Sequence, residues 1–275
     1  MTHKGYANPR YVITAPELRE VTDDITLIDV RAGEEYAGGH IAGAGHFDLY
    51  GLSINDTADA PLASYLWMME TLFGFHGVRH DRPVVIYDQE SGERAARAVW
   101  LLDFFGHADV RLLDGGLPAW TSGGFDMTLD AEPVARLDWQ GTRNFERLAT
   151  RLDVAAAIGD DNCVLLDVRR ESEFTGTEKR ARRVGTMPGA VHVDWRRHLD
   201  DSGAFRPAEE VRALYETAGV TPDKTIIPYC QGGYRSANTA LVLRMLGYPD
   251  VRNYIGSWWE WGNRDDTAIV LPGAG

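Results

Sequence analysis

Apolar positions along this chain fall into short runs separated by polar, glycine-rich breaks. Thr26-Leu-Ile-Asp-Val30 and Val84-Val-Ile-Tyr87 are too short for helices and apolar at successive positions. Such runs read as strands of the buried, parallel type. Residues 236–246 instead carry apolar side chains at helical spacing, and Gly247 with Tyr248-Pro249 supplies a stop. Strands alternating with helices predict an α/β fold, a mostly parallel sheet with helices on both faces. Pro228 cannot donate to a sheet ladder, so it is expected at the last positions of its strand, where that loss is tolerable.

The pattern runs twice. "TLIDVRAGEEYAGGHIAGAGHFDL" (26–49) sets up against "VLLDVRRESEFTGTEKRARRVGTMPGAVHVDW" (164–195), each with a strand, Asp-Val-Arg, an acidic/aromatic turn and a Gly-rich approach to another extended segment. Residues 82–120 parallel 224–261 in the order strand, loop, helix, Gly turn, short strand. Two similar α/β domains are therefore expected, 1–128 and 148–275, joined by a polar, weakly periodic linker over 129–147.

The copies differ where chemistry belongs. Aligning Tyr87 with Tyr229 puts Asp88 opposite Cys230, and the loop from Asp88 to Arg94 is one residue longer than that from Cys230 to Arg235. The second copy also gains about eight residues before its Gly turn, among them the basic "EKRARR" (178–183). One copy thus holds a thiol and added positive charge, the other a carboxylate. Duplication followed by loss of one site accounts for this.

Composition narrows the function classes. At 275 residues, with 44% apolar residues and eight tryptophans, the chain has material for two cores. A formal net charge of −13 argues against nucleic acid as a partner, though not against a small anionic substrate held by a locally positive loop. Two cysteines, Cys163 and Cys230, do not make a disulfide scaffold. The start "MTHKGYANPR" shows no apolar signal region, and no run approaches a membrane span. A reducing cytoplasm, with a free thiol and no membrane contact, is the expectation.

In "YCQGGYRSA" (229–237) a strand delivers Cys230 to the carboxyl edge of the sheet, where α/β proteins place ligands. Gly232 and Gly233 let the backbone curl so that successive N–H groups of Gln231 to Tyr234 point inward. A helix beginning near Ser236 adds its positive end. These dipoles favour an anion, and the thiolate is one, so the Cys230 pKa should fall below about 8.5. Arg235 is placed to fork to a bound oxyanion or to brace the loop.

Other signals point to structure. Cys163 beside "VLLDV" reads as a small core hydrophobe. His76 and His80 have i,i+4 spacing but no third ligand or Glu base, so no metal site is expected. "GGHIAGAG" (38–45) lacks nucleotide-fingerprint spacing.

Taken together, "LIDVR", "LLDVR", "MPGAVHV", "YCQGGYRSA" and the closing "NYIGSWWEW" resemble the two-domain rhodaneses, the thiosulfate sulfurtransferase family, over nearly the whole length. The resemblance implies a tandem rhodanese-like fold whose first domain has lost its cysteine, as Asp88 suggests. It implies Cys230 as nucleophile, Gln231 to Arg235 and Ser236 as the loop wrapping a persulfide, and Asp167 as a carboxylate near that loop that helps hold it. Trp195 and the tryptophans after Ser257 are expected around the pocket or in the core. The basic insert of the cysteine-bearing copy puts Arg182 and Arg183 in a supporting role toward the substrate. The chain departs from the family's pattern at Thr186-Met187, where many relatives have His-Ile, and at Glu173, where vertebrate-type enzymes have arginine.

The implied reaction moves the outer sulfur of thiosulfate to a thiophilic acceptor such as cyanide, a thiol or a protein, with no cofactor or metal. The alternative donor is 3-mercaptopyruvate, whose carboxylate could use Arg182, Arg183 or Arg235. A non-catalytic persulfide carrier is a further alternative. Cysteine phosphatase or arsenate reductase chemistry is disfavoured, because four residues rather than five separate Cys230 from Arg235. Tandem domains cover one another's faces, so a monomer is expected.

Overall fold

The computed structural model describes residues 2–131 and 133–272. The first half contains β1 (Val12–Ile13), α1 (Ala15–Val21), β2 (Thr26–Asp29), α2 (Gly33–Ala37), β3 (His40–Ile41), β4 (Ala44–His46) and α3 (Asp59–Phe75). β5 (Val84–Tyr87), α4 (Glu93–Phe104), β6 (Val110–Leu113), α5 (Gly116–Ser122) and β7 (Met127–Thr128) complete it. Its main sheet is parallel in the order β1-β6-β5-β2-β4.

The second half repeats the plan with β8 (Leu148–Ala149), α6 (Arg151–Ala157), β9 (Cys163–Asp167), α7 (Glu171–Phe174), β10 (Val191–His192) and α8 (Ala208–Thr217). β11 (Thr225–Tyr229), α9 (Tyr234–Met245), β12 (Asn253–Tyr254) and α10 (Ser257–Trp261) follow. Here β10-β9-β11 and β12-β8 form separate ladders, linked by a single parallel bridge between Ile226 and Val251. Ile226 exchanges bonds with the β12 side, accepting from Arg252 N–H and donating to Asp250 O. Pro228, two residues on, faces the same side. The ladder opens just where the missing N–H would have been needed.

Strand alternation feeds two cores in each domain. Ile28, Val84, Ile86 and Leu112 enter one cluster, while Leu27, Val85, Tyr87 and Leu113 enter another beneath α1 and α5. In the second domain Val164, Leu166 and Ile226 join the first cluster, and Leu165, Ile227 and Tyr229 form a third. The inner faces of both domains therefore share one continuous core. Its centre is α4 against α9, buried from Ala95 to Phe104 and from Tyr234 to Leu243. A helix buried all round needs apolar or paired residues on every face. Asn238 of α9 meets that need by donating to the carbonyls of Ser91 (2.7 Å) and Gly92 (3.1 Å) across the interface.

Two expectations change. The segment expected as a linker is strapped to the first domain: Trp139 is buried against Phe73 and Phe105, and Leu137 N–H donates to Gly74 O. Helix α9 starts at Tyr234 rather than near Ser236, because Gly233 at φ 87° turns the chain directly from loop to helix.

Candidate active site

β11 ends at Tyr229 and Cys230 follows, only 1% exposed and unpaired with Cys163. Its Sγ accepts from Gly233 N–H at 3.1 Å and lies 3.5 Å from Ser236 Oγ in the first turn of α9. The loop is fixed from behind by α10. Ser257 Oγ accepts from Cys230 N–H (3.1 Å) and donates to Tyr254 O (2.7 Å), while Trp258 and Trp259 N–H donate to the carbonyls of Cys230 and Gln231. With its proton committed to Tyr254, Ser257 is not a real donor to Sγ at 4.0 Å. Ser257 does this in a left-handed conformation, φ 51°, uncommon for a residue with a side chain. Gly233 is required sterically as well: a Cβ there would overlap Arg97 Nη1 and sit 2.7 Å from Ile255 O.

Arg235 turns its guanidinium onto Glu173 of α7, with Nη1–Oε2 2.6 Å and Nη2–Oε1 3.0 Å. Both are buried. Burial pushes the Glu173 carboxyl up, but Arg235 outweighs it and holds the group below its ordinary range. Burial likewise pushes the Cys230 thiol up, and the Arg235 charge, Ser236 and the loop N–H groups together bring it below the ordinary thiol value.

A cavity of about 160 Å³ opens above the sulfur. The second domain lines it with Cys230, Gln231, Gly232, Tyr234, Arg235, Arg180 and Trp259. The first domain supplies Tyr50, Gly51, Ser53 and Glu93. Tyr234 donates to Leu49 O at 2.8 Å and so ties the loop to that wall.

In the first domain the Asp88 carboxylate takes the place of the sulfur. Oδ1 accepts from the N–H groups of Glu90 (3.2 Å) and Gly92 (3.1 Å), and Oδ2 from Ala95 (3.0 Å). Burial dominates and raises its pKa to about 7, against the lowering effect of these donors. The same N–H cradle is present here, with a carboxyl group filling it.

Residues 14–123 and 150–264 each match the rhodanese-like domain. The chain belongs to this family. Among rhodanese relatives, a thiosulfate sulfurtransferase of Pseudomonas aeruginosa is 37% identical, covering 90% of this chain and 92% of its own. One of Azotobacter vinelandii is 34% identical, over 94% and 93%. A sulfur carrier protein of Thermus thermophilus, TtuD, is 33% identical over 94% and 96%. An anaerobic ergothioneine biosynthesis enzyme of Chlorobium limicola shares the fold with TM-score 0.87, at 19% identity, over 96% of this chain and 71% of that one.

Within this rhodanese, Cys230, Gln231, Gly232, Gly233, Tyr234, Arg235 and Ser236 lie together around the sulfur. Three supporting residues do not. Arg182 pairs with Asp265 on the surface, and Arg183 donates to Thr267 and Trp261 O near the C-terminal segment. Neither lines the cavity. The side chain of the basic insert that does is Arg180, whose carbonyl accepts from Gln231 Nε2 at 2.9 Å.

Asp167 is buried against Arg169 (2.6 Å) and Thr186 Oγ1 (2.9 Å) rather than against the loop. Its side chain is linked to the loop through Arg169, whose guanidinium lies 4.3 Å from the Trp258 ring, and Trp258 N–H, which donates to Cys230 O. Asp29 and Arg31 make the same pair at 2.6 Å in the domain without a cysteine, which marks Asp-Val-Arg as scaffolding. Of the tryptophans, only Trp259 lines the cavity; Trp195, Trp258 and Trp261 are core. Among the described residues no cluster suited to a metal is present, and no helix is long and apolar enough to cross a membrane.

Proposed function

We propose that the protein is a sulfurtransferase that carries sulfur on Cys230, with thiosulfate as donor. The observation that carries this reading is a thiol seated on Gly233 N–H at 3.1 Å, at the floor of a cavity sized for a small anion. The names of the Pseudomonas and Azotobacter relatives support it.

In the first step the Cys230 thiolate attacks the outer sulfur of thiosulfate. The new S–S bond forms as the old one breaks, and sulfite leaves with the electron pair. In the second step a thiophile attacks the outer sulfur of the Cys230 persulfide, and the thiolate is released unchanged. Splitting the transfer in two is covalent catalysis, with ping-pong kinetics as its sign. Loop N–H groups stabilise the anionic sulfur at each stage, the logic of an oxyanion hole. Arg180 faces the departing sulfite, and would face the carboxylate if 3-mercaptopyruvate were the donor.

The first domain, with Asp88 filling its cradle, is proposed to carry no nucleophile and to serve as the second wall of the site. The test is thiosulfate:cyanide turnover in Cys230→Ser. Retained activity would sink the reading. The carrier named among the relatives favours one rival, in which Cys230 accepts sulfur and passes it to a protein. Negligible steady-state turnover with small donors and small acceptors would favour that rival.

A further inference from the structure

The fifth residues of α4 (Glu93–Phe104) and α9 (Tyr234–Met245) are Arg97 and Asn238. Each reaches across the interface toward the loop of the other domain. Asn238 brings a neutral amide to the Ser91 and Gly92 carbonyls beside Asp88. Arg97 brings a cation to Gly233, the residue whose N–H holds the sulfur. The cation meets the sulfur loop and the amide meets the carboxylate loop.

Arg97 is fully buried, and no carboxylate among the described residues lies within ion-pair distance of it. Its Nη2 donates to Tyr65 Oη at 2.7 Å and its guanidinium lies 5.0 Å from the Tyr234 ring. Nε and Nη1 have no hydrogen-bond partner. A buried charge is costly in isolation and needs a counter-charge. The groups whose charge acts on Arg97 most are Tyr65, Tyr234 and Cys230. The hydroxyls of Tyr65 and Tyr234 donate to the carbonyls of Leu52 and Leu49, which leaves the Cys230 sulfur as the anion of the three.

We propose that Arg97, delivered by the domain that lacks the cysteine, is a positioning residue whose guanidinium backs Gly233 and serves as counter-charge to the sulfur anion on Cys230. The proposal rests on Cys230 being the sulfur-bearing group. It gives the first domain an electrostatic role in the chemistry, in addition to lining the cavity.

The test is the pH dependence of Cys230 alkylation by iodoacetamide, resolved from Cys163 by peptide mass. The other charged or titratable groups facing this sulfur and its loop are Arg235 with Glu173, Arg180, Glu93, Tyr65 and Tyr234, and all stay unchanged. Arg97→Met is expected to move the thiol pKa up by about one unit, as loss of a nearby opposite charge does. Arg97→Lys, which keeps the charge, is expected to return most of that shift. Arg97→Gln is the second neutral variant should Arg97→Met not fold, folding being judged by near-UV circular dichroism. An unchanged thiol pKa in a folded neutral variant, or an equal shift in Arg97→Lys, overturns the proposal. Because the readout needs no sulfur donor, its failure is distinct from absence of a persulfide in the unmodified protein.

Discussion

Arg235 and Glu173 close on one another in a two-pronged fork, Nη1–Oε2 2.6 Å and Nη2–Oε1 3.0 Å. The fork uses two of the five guanidinium N–H groups, so Arg235 braces the loop onto α7 while still lining the cavity. It acts on the sulfur by its field and by fixing the start of α9. Arg235→Met is expected to raise the Cys230 pKa and to cost about 3 kcal/mol of stability, since Glu173 is left buried without its fork, facing Arg180 Nη1 at 3.8 Å instead. Arg235→Lys is expected to recover little of that stability, because an ammonium cannot reproduce the fork. Urea unfolding and the alkylation profile measure the two effects separately.

Glu93 lines the same cavity, and burial raises its pKa, while Arg235 opposes the rise. An ionised carboxylate there repels an anionic donor. Glu93→Gln is expected to lower the KM for thiosulfate two- to fivefold, about 0.4–1 kcal/mol for a partly screened charge, with kcat little changed. Steady-state kinetics at fixed ionic strength checks this.

His198 sits fully buried between Tyr215 Oη (2.9 Å) and Asn238 Oδ1 (2.7 Å). Asn238 spends its amide N–H groups on Ser91 and Gly92, so its oxygen must accept from His198 Nε2–H, and Nδ1 accepts from Tyr215. The ring is neutral, its pKa lowered by burial to about 4. A base with a depressed folded pKa binds its proton more readily when unfolded. Its contribution is therefore complete above about pH 6.5 and is lost as pH falls toward 4, by up to ~3 kcal/mol. His198→Gln is expected to flatten stability against pH over that window, measured by urea unfolding at several pH values.

Asp88 satisfies two loop N–H groups, those of Glu90 and Gly92, and that of Ala95 in the first turn of α4. Asp88→Ala orphans them and is expected to cost about 3 kcal/mol, while the Cys230 thiol persists in its own cradle. Thermal unfolding measures the loss, and a persulfide on Cys230 after thiosulfate treatment shows the second loop intact.

The repeat, the strand delivering Cys230 and the loop that curls around it were legible because each is local: short apolar runs, glycines at the turn, a helix beginning within four residues. What was not legible depends on chain folded from elsewhere. No spacing reveals that Arg180, whose carbonyl accepts from Gln231, is the arginine of 178–183 that lines the cavity. Tyr50, Ser53, Glu93 and Arg97 enter from the other domain, and nothing in their own sequence context marks them. Ser257 had one available signal, its place just after Gly256 and before the tryptophans at the end of the repeat, but its positive φ is visible only in three dimensions. Asp167 misled because Asp-Val-Arg lies close to the site in the fold without touching it; its presence in both repeats was the clue to a structural role.

The most direct measurement is the intact mass of the purified protein after thiosulfate without acceptor. A gain of about 32 Da, one sulfur atom, present in the native chain, lost on adding cyanide and absent in Cys230→Ala, is the expected result. A native chain that gains no mass with thiosulfate, or a Cys230→Ala variant that still gains it, would contradict the account.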